Sequence, residues 1–129
     1  MMNRRLFLST ASALLLAVSV GVTATAADDI APGFSEASAA GVPVLVHVTA
    51  PWCEVCQAQK PVVAKLVGNG DFASMKKFDV DFDSQKAVLQ KLKVQSQSTM
   101  VLFKNGKEID RSVGVSDPAQ IEAFLREAL

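Results

Sequence analysis

Two cysteines occur in the 129-residue chain, Cys53 and Cys56, within Trp52-Cys53-Glu54-Val55-Cys56. An apolar, β-branched run from Val42 to Val48 precedes them, and helical spacing resumes from Cys53 to about Val67. A cysteine at a helix start faces backbone N–H groups without intrahelical partners and the positive end of the helix dipole. Both favour thiolate over thiol. The second cysteine lies one turn further on, close enough to close a bridge. Such a pair can attack a substrate disulfide, form a mixed disulfide and then resolve it. Cys53 is therefore assigned as the nucleophile, which should be open to water, and Cys56 as the resolving thiol. A bridge over so short a loop contributes only about 2 kcal/mol in the chain-entropy picture, so stapling the fold is a poor explanation for it.

Other chemistry has less to work with. Structural zinc takes four ligands, mostly Cys and His, and the chain offers two cysteines and one histidine, His47. A soft metal such as Cu(I) could use the two sulfurs alone, which makes a non-enzymatic metal carrier the rival reading. A client-binding module with a vestigial cysteine pair is a third. No Met/His-rich stretch surrounds the pair, and no cofactor is called for. Asp79, Asp81 and Asp83 alternate and should share one solvated strand face. No Gly-turn loop supports calcium there.

The elements that must position the cysteines follow from pattern. Phe34 to Ala40 reads as a short helix ending at Gly41. Val42–Val48 reads as a strand buried on both faces. Pro61 lies inside the helix that follows and is expected to kink or interrupt it. Gly68 to Asp71 reads as a loop, Lys77–Phe82 as a strand, and Gln85–Leu92 as a helix with Val88, Leu89 and Leu92 on one face. Thr99–Phe103 is an apolar strand. Asn105-Gly106 is a hairpin turn, and Lys107–Val113 returns antiparallel. Ser116 or Asp117 caps a last helix, with Pro118 in its first turn and Ile121, Phe124 and Leu125 on its buried stripe. Phe78, Phe82 and Phe103 are expected in the core. Strands alternating with helices, then one hairpin, imply an α/β fold: a central mixed sheet flanked by helices.

The first 27 residues read as an address. Arg4-Arg5 is followed by 22 uncharged residues, Leu6 to Ala27, with an apolar centre and small residues at Ala24-Thr25-Ala26. This is the pattern of a secretory signal peptide. Asn3-Arg4-Arg5-Leu6-Phe7-Leu8 also resembles a twin-arginine signal, used for proteins exported already folded. An uncleaved membrane anchor is the alternative. Export leads to a bacterial periplasm, where disulfides persist. Loss of Arg4 and Arg5 from 13 basic residues leaves 11 against 13 acidic ones, over residues 28–129. That balance excludes a strongly basic nucleic-acid binder. One domain of that length needs no disulfide staples.

The stretch Ala50-Pro51-Trp52-Cys53-Glu54-Val55-Cys56, with Lys60-Pro61 after it, resembles the thioredoxin family. Thr99 to Gly106 is similar to that family's strand and hairpin after its active-site proline, and Gly114 with the helix from Asp117 to its close. The resemblance implies a thioredoxin-like fold and dithiol–disulfide exchange. Trp52 and Thr99 match the family's motif as supporting residues around Cys53 and Cys56; His47, Glu54 and Ser98 are candidate supporting residues that stand at family positions with a different side chain. Residues 28–35 look short for the family's first strand.

Three departures carry expectations. Glu54-Val55 replaces the family's Gly-Pro between the cysteines. A carboxylate at Glu54 should raise the Cys53 pKa and make the pair reducing, nearer about −270 mV than about −120 mV; a Glu54 turned out to solvent, with little effect, is the alternative. His47 takes the place of a buried acid that helps deprotonate the resolving cysteine. A neutral imidazole could do the same; a core histidine satisfied by a backbone bond is the alternative. Ser98 stands where the family has a cis-proline before Thr99, so a trans Gln97–Ser98 bond is expected, because a non-proline cis bond costs about 3–4 kcal/mol. Loss of that ring also makes a metal shared between two chains conceivable. The expected partners are exported proteins with disulfides and a membrane or periplasmic electron donor, with the chain itself a monomer.

Overall fold

The computed structural model describes residues 30–129; the signal-peptide expectation for residues 1–27 lies outside them. Eight regular elements follow in order: α1 (Phe34–Ala39), β1 (Val44–Thr49), α2 (Glu54–Leu66), β2 (Lys76–Asp81), α3 (Lys86–Leu92), β3 (Thr99–Lys104), β4 (Lys107–Val113) and α4 (Pro118–Arg126). A short 3-10 turn, Gly70–Phe72, begins in the stretch read as loop, runs one residue past it and buries Phe72. No strand precedes α1 among the described residues.

The sheet order is β2-β1-β3-β4. β1 runs parallel to β2 and antiparallel to β3, and β3 is antiparallel to β4, so the sheet is mixed as expected. Alternation along the strands divides the core. Val44, Val46 and Val48 of β1 join Val101 and Phe103 of β3 under α1 and α3. Leu45, Met100 and Leu102 face the other way, under Val63 of α2 and Ile121, Phe124 and Leu125 of α4. β1 and β3 are covered on both faces, which is why their sequences are apolar almost without interruption. Truncating a fully buried side chain such as Leu45 should cost about 2–5 kcal/mol.

Local signals explain the ends of the elements. Asp117 caps α4, its carboxylate accepting from the Gln120 N–H at 3.0 Å, with Pro118 in the first turn. Asn105 and Gly106 both have positive φ, 51° and 75°, as a type I′ hairpin turn requires. Gly41 (φ 74°) faces the Asn105 side chain so closely that a Cβ would lie 2.8 Å from its Oδ1. A side chain at Gly41 would therefore be strained by that φ and would have to displace the Asn105 carboxamide.

Two expectations need correction. Of the kink or interruption expected at Pro61, the interruption is absent: α2 runs through Pro61 as one helix. Its ring is on the exposed side, while Gln59 and Val63 on either side are fully buried. Packing of that stripe outweighs one missing backbone bond. The three aspartates do not form one strand face. Only Asp79 and Asp81 lie in β2, and the Asp81 carboxylate turns back to accept from the N–H groups of Asp83 and Ser84, each at 2.9 Å.

Candidate active site

β1 ends at Thr49, and the chain turns through Ala50-Pro51-Trp52 into α2. Cys53 is the N-cap of α2, in extended conformation, and its Sγ accepts from the Cys56 N–H at 3.1 Å. The sulfur thus occupies the position that serine or aspartate usually fills at a helix start, facing a backbone donor that no helical carbonyl reaches. Cys53 and Cys56 are joined by a disulfide with Cα atoms 5.3 Å apart. The sequence reading is correct here: Cys53 meets the helix N-terminus and Cys56 lies one turn on.

The expectation that Cys53 stands open to water is corrected: in the bridged form it is buried. Cys53 is only 4% exposed and Cys56 is sealed at 0%. The bridge is packed by Ala50 and half-buried Phe82. What exposure remains belongs to Cys53 rather than Cys56. Trp52, Glu54 and Val55 around it are exposed.

Phe82 was expected in the core; it instead links the core to the disulfide. Its ring lies edge-on to Trp52, centroids 6.5 Å apart, and Lys86 Nζ sits 4.5 Å above it. The Trp52 indole N–H donates to the Asp83 carboxylate at 2.9 Å. Asp83 is a site residue that sequence reasoning missed, because the turn after β2 takes it off the strand pattern.

His47 lies on the β1 face covered by α2. It is buried, and its Nε2 is 2.9 Å from Gln59 Oε1. Burial pushes its pKa below 6.5, although the Gln59 hydrogen bond and Asp79 act the other way. The imidazole is therefore neutral at physiological pH. Its partner is a side chain, not the backbone group anticipated for a core histidine. Gln59 is the second residue the sequence reading missed. The signal was available: a glutamine at the Cys56, Gln59, Val63 spacing puts a polar group on the buried stripe of α2.

Ser98 is 6% exposed and has φ 54°. Every peptide bond among the described residues is trans, including Gln97–Ser98. The Ser98 carbonyl accepts from the Gly114 N–H at 3.0 Å and from Gln59 Nε2 at 3.2 Å. Thr99 Oγ1 donates to the Ser96 carbonyl at 2.7 Å and braces the same loop. Glu54 is exposed in the first turn of α2. Among the described residues no three His, Cys, Asp or Glu side chains converge as a metal site.

The family model for thioredoxin matches residues 29–127. The chain belongs to the thioredoxin family. A thioredoxin of Mycolicibacterium smegmatis is 38% identical over 88 residues, covering 67% of this chain and 79% of that one. Thioredoxin Asp f 29 of Aspergillus fumigatus is 33% identical over 84 residues, covering 65% of this chain and 76% of its own. Among solved structures, Trxlp from Edwardsiella tarda superposes with a TM-score of 0.71 at 41% identity, covering 73% of this chain and 91% of that one. The thioredoxin of Malassezia sympodialis gives 0.66 at 28% identity, covering 75% and 84%. Family and site geometry agree on the chemistry: the chain is a thiol–disulfide oxidoreductase working through Cys53 and Cys56.

Proposed function

We propose that this thioredoxin-family protein is exported and reduces or exchanges disulfides in other exported proteins, with a membrane or periplasmic electron donor returning it to the dithiol. The observation that carries the chemistry is Cys53 at the N-cap of α2, bridged to Cys56. Residues 1–27 support export, through Arg4-Arg5, the uncharged run and Ala24-Thr25-Ala26. A donor is needed because the periplasm has no thiol buffer of its own.

In the reductive half-cycle the Cys53 thiolate attacks one sulfur of a client disulfide. A Cys53–client bond forms, and the other client sulfur leaves as thiolate and takes up a proton. Cys56 then loses its proton, His47 being the proposed base, and attacks Cys53 Sγ. The Cys53–Cys56 bond forms as the Cys53–client bond breaks. The client gains two electrons and two protons, and the protein keeps the disulfide. The chain acts as a monomer in this scheme.

Three measurements test the proposal together. The full chain expressed in a bacterium should lose residues 1–27 and fractionate with the periplasm. The purified protein should reduce insulin, and Cys56→Ser should accumulate mixed disulfides with exported proteins. Retention in the cytoplasm would overturn the exported role. Stoichiometric copper with no insulin reduction would favour the metal carrier.

A further inference from the structure

Gln59 is fully buried, one turn beyond Cys56 on the same stripe of α2. Its carboxamide has four hydrogen-bonding directions, two donating and two accepting. Nε2 donates to the Val115 carbonyl at 2.8 Å and to the Ser98 carbonyl at 3.2 Å. Both N–H groups are thereby engaged. The reverse orientation of the amide would set an oxygen against two carbonyl oxygens, so the assignment follows from the partners themselves. Oε1 is left facing His47 Nε2 at 2.9 Å. An oxygen can only accept, so His47 Nε2 must carry the hydrogen. The lone pair of the neutral ring is then on Nδ1.

The three partners of Gln59 belong to three segments at one end of the sheet. His47 is near the end of β1, Ser98 immediately precedes β3, and Val115 follows the end of β4. Val48 pairs with Thr99, and Thr99 with Val113, so these segments meet where β1 turns toward Cys53. One side chain on the cysteine-bearing helix joins them.

We propose that Gln59 is a positioning residue for disulfide exchange: its carboxamide locks His47 in the Nε2–H form, leaving Nδ1 to take a proton, and ties the Ser98 and Val115 carbonyls to α2. The proposal rests on the dithiol–disulfide reading of Cys53 and Cys56, in which the proton leaving Cys56 needs an acceptor. Removing the carboxamide should free the ring to change tautomer and slow resolution, while the first attack by Cys53 continues.

His47 is the only histidine, so one set of imidazole nitrogen signals reports its tautomer in the full-length protein. Nitrogen NMR of the wild type, oxidised and reduced, should show protonated Nε2 and unprotonated Nδ1. A protonated Nδ1 overturns the proposal with no variant needed. Gln59→Met keeps chain length and helix propensity while deleting the three hydrogen bonds. It should populate the other tautomer and slow resolution of a preformed mixed disulfide about tenfold. The first attack, measured in a Cys56→Ser background, should change by less than about twofold. A folded Gln59→Met with wild-type resolution, or with both steps slowed equally, overturns the positioning role. Should Gln59→Met fail to fold, the nitrogen spectrum of the wild type decides alone: protonated Nε2 with unprotonated Nδ1 supports the lock, and protonated Nδ1 overturns it. Failure of the wild type to cycle between dithiol and disulfide would strike the oxidoreductase reading instead, whatever the tautomer.

Discussion

Trp52 and Asp83, thirty-one residues apart, are joined by a 2.9 Å hydrogen bond from the indole Nε1–H to the carboxylate. The bond fixes the exposed ring beside the disulfide and against Phe82. Asp81 makes it possible by holding the turn that carries Asp83, through its bonds to the Asp83 and Ser84 N–H groups.

Asp83→Ala should release that ring. Trp52 is the sole tryptophan, so its fluorescence reads the change directly: emission should shift to the red. Stability in urea should fall by no more than about 1 kcal/mol, the net worth of a hydrogen bond in water. Asp83→Asn retains an acceptor and should keep most of the wild-type emission.

Glu54 stands in the first turn of α2 immediately after Cys53. Its negative charge disfavours a thiolate at the N-cap, so Glu54→Gln should lower the Cys53 pKa and make the pair more oxidising. Glu54 is exposed, and water screens it. The rise in potential should be about 10–20 mV, corresponding to less than about 1 kcal/mol. A glutathione redox titration of both proteins measures it. The wild type should lie below about −180 mV; a higher value removes the argument from Glu54.

Ser98 holds a left-handed φ of 54°, which costs a non-glycine residue about 1–2 kcal/mol. Ser98→Gly should recover part of that and raise stability, less what the more flexible unfolded chain takes away. Ser98→Pro should do the opposite. Proline is fixed near −65°, so restoring the family's residue without its backbone should destabilise the protein by more than about 2 kcal/mol. Urea unfolding of the two variants checks the opposite signs.

His47 predicts a pH dependence. Its folded-state pKa is pushed below the ordinary 6.5, first by burial. The unfolded chain therefore binds the proton more readily. Stability attributable to this group is fully present above about pH 6.5 and is lost as pH falls from there toward the folded-state value. His47→Asn, a similarly polar side chain that does not titrate, should be less stable at pH 7.5 and should flatten the slope between pH 7 and 5. Asp81 acts in a lower window. Its pKa is depressed below 3.8 by hydrogen bonds from Ser84, so its contribution is present above that value and lost further into acid. Denaturant midpoints from pH 8 down to about pH 2 separate the two.

The sequence by itself determined the elements, the caps and the cysteine chemistry. Period-two and period-3.6 patterns, Asn105-Gly106, Asp117-Pro118 and the Cys53–Cys56 spacing are local properties, set by backbone sterics and by which face of an element is apolar. The tertiary structure alone decided how the cysteines are supported. Gln59 meets Ser98 and Val115 across thirty-nine and fifty-six residues. Trp52 meets Asp83 only because β2 runs parallel to β1 and ends beside it. Phe82 covers the disulfide for the same reason. Such polar pairings follow no periodicity. They arise where buried donors and acceptors from distant segments must satisfy one another once the sheet has brought them together.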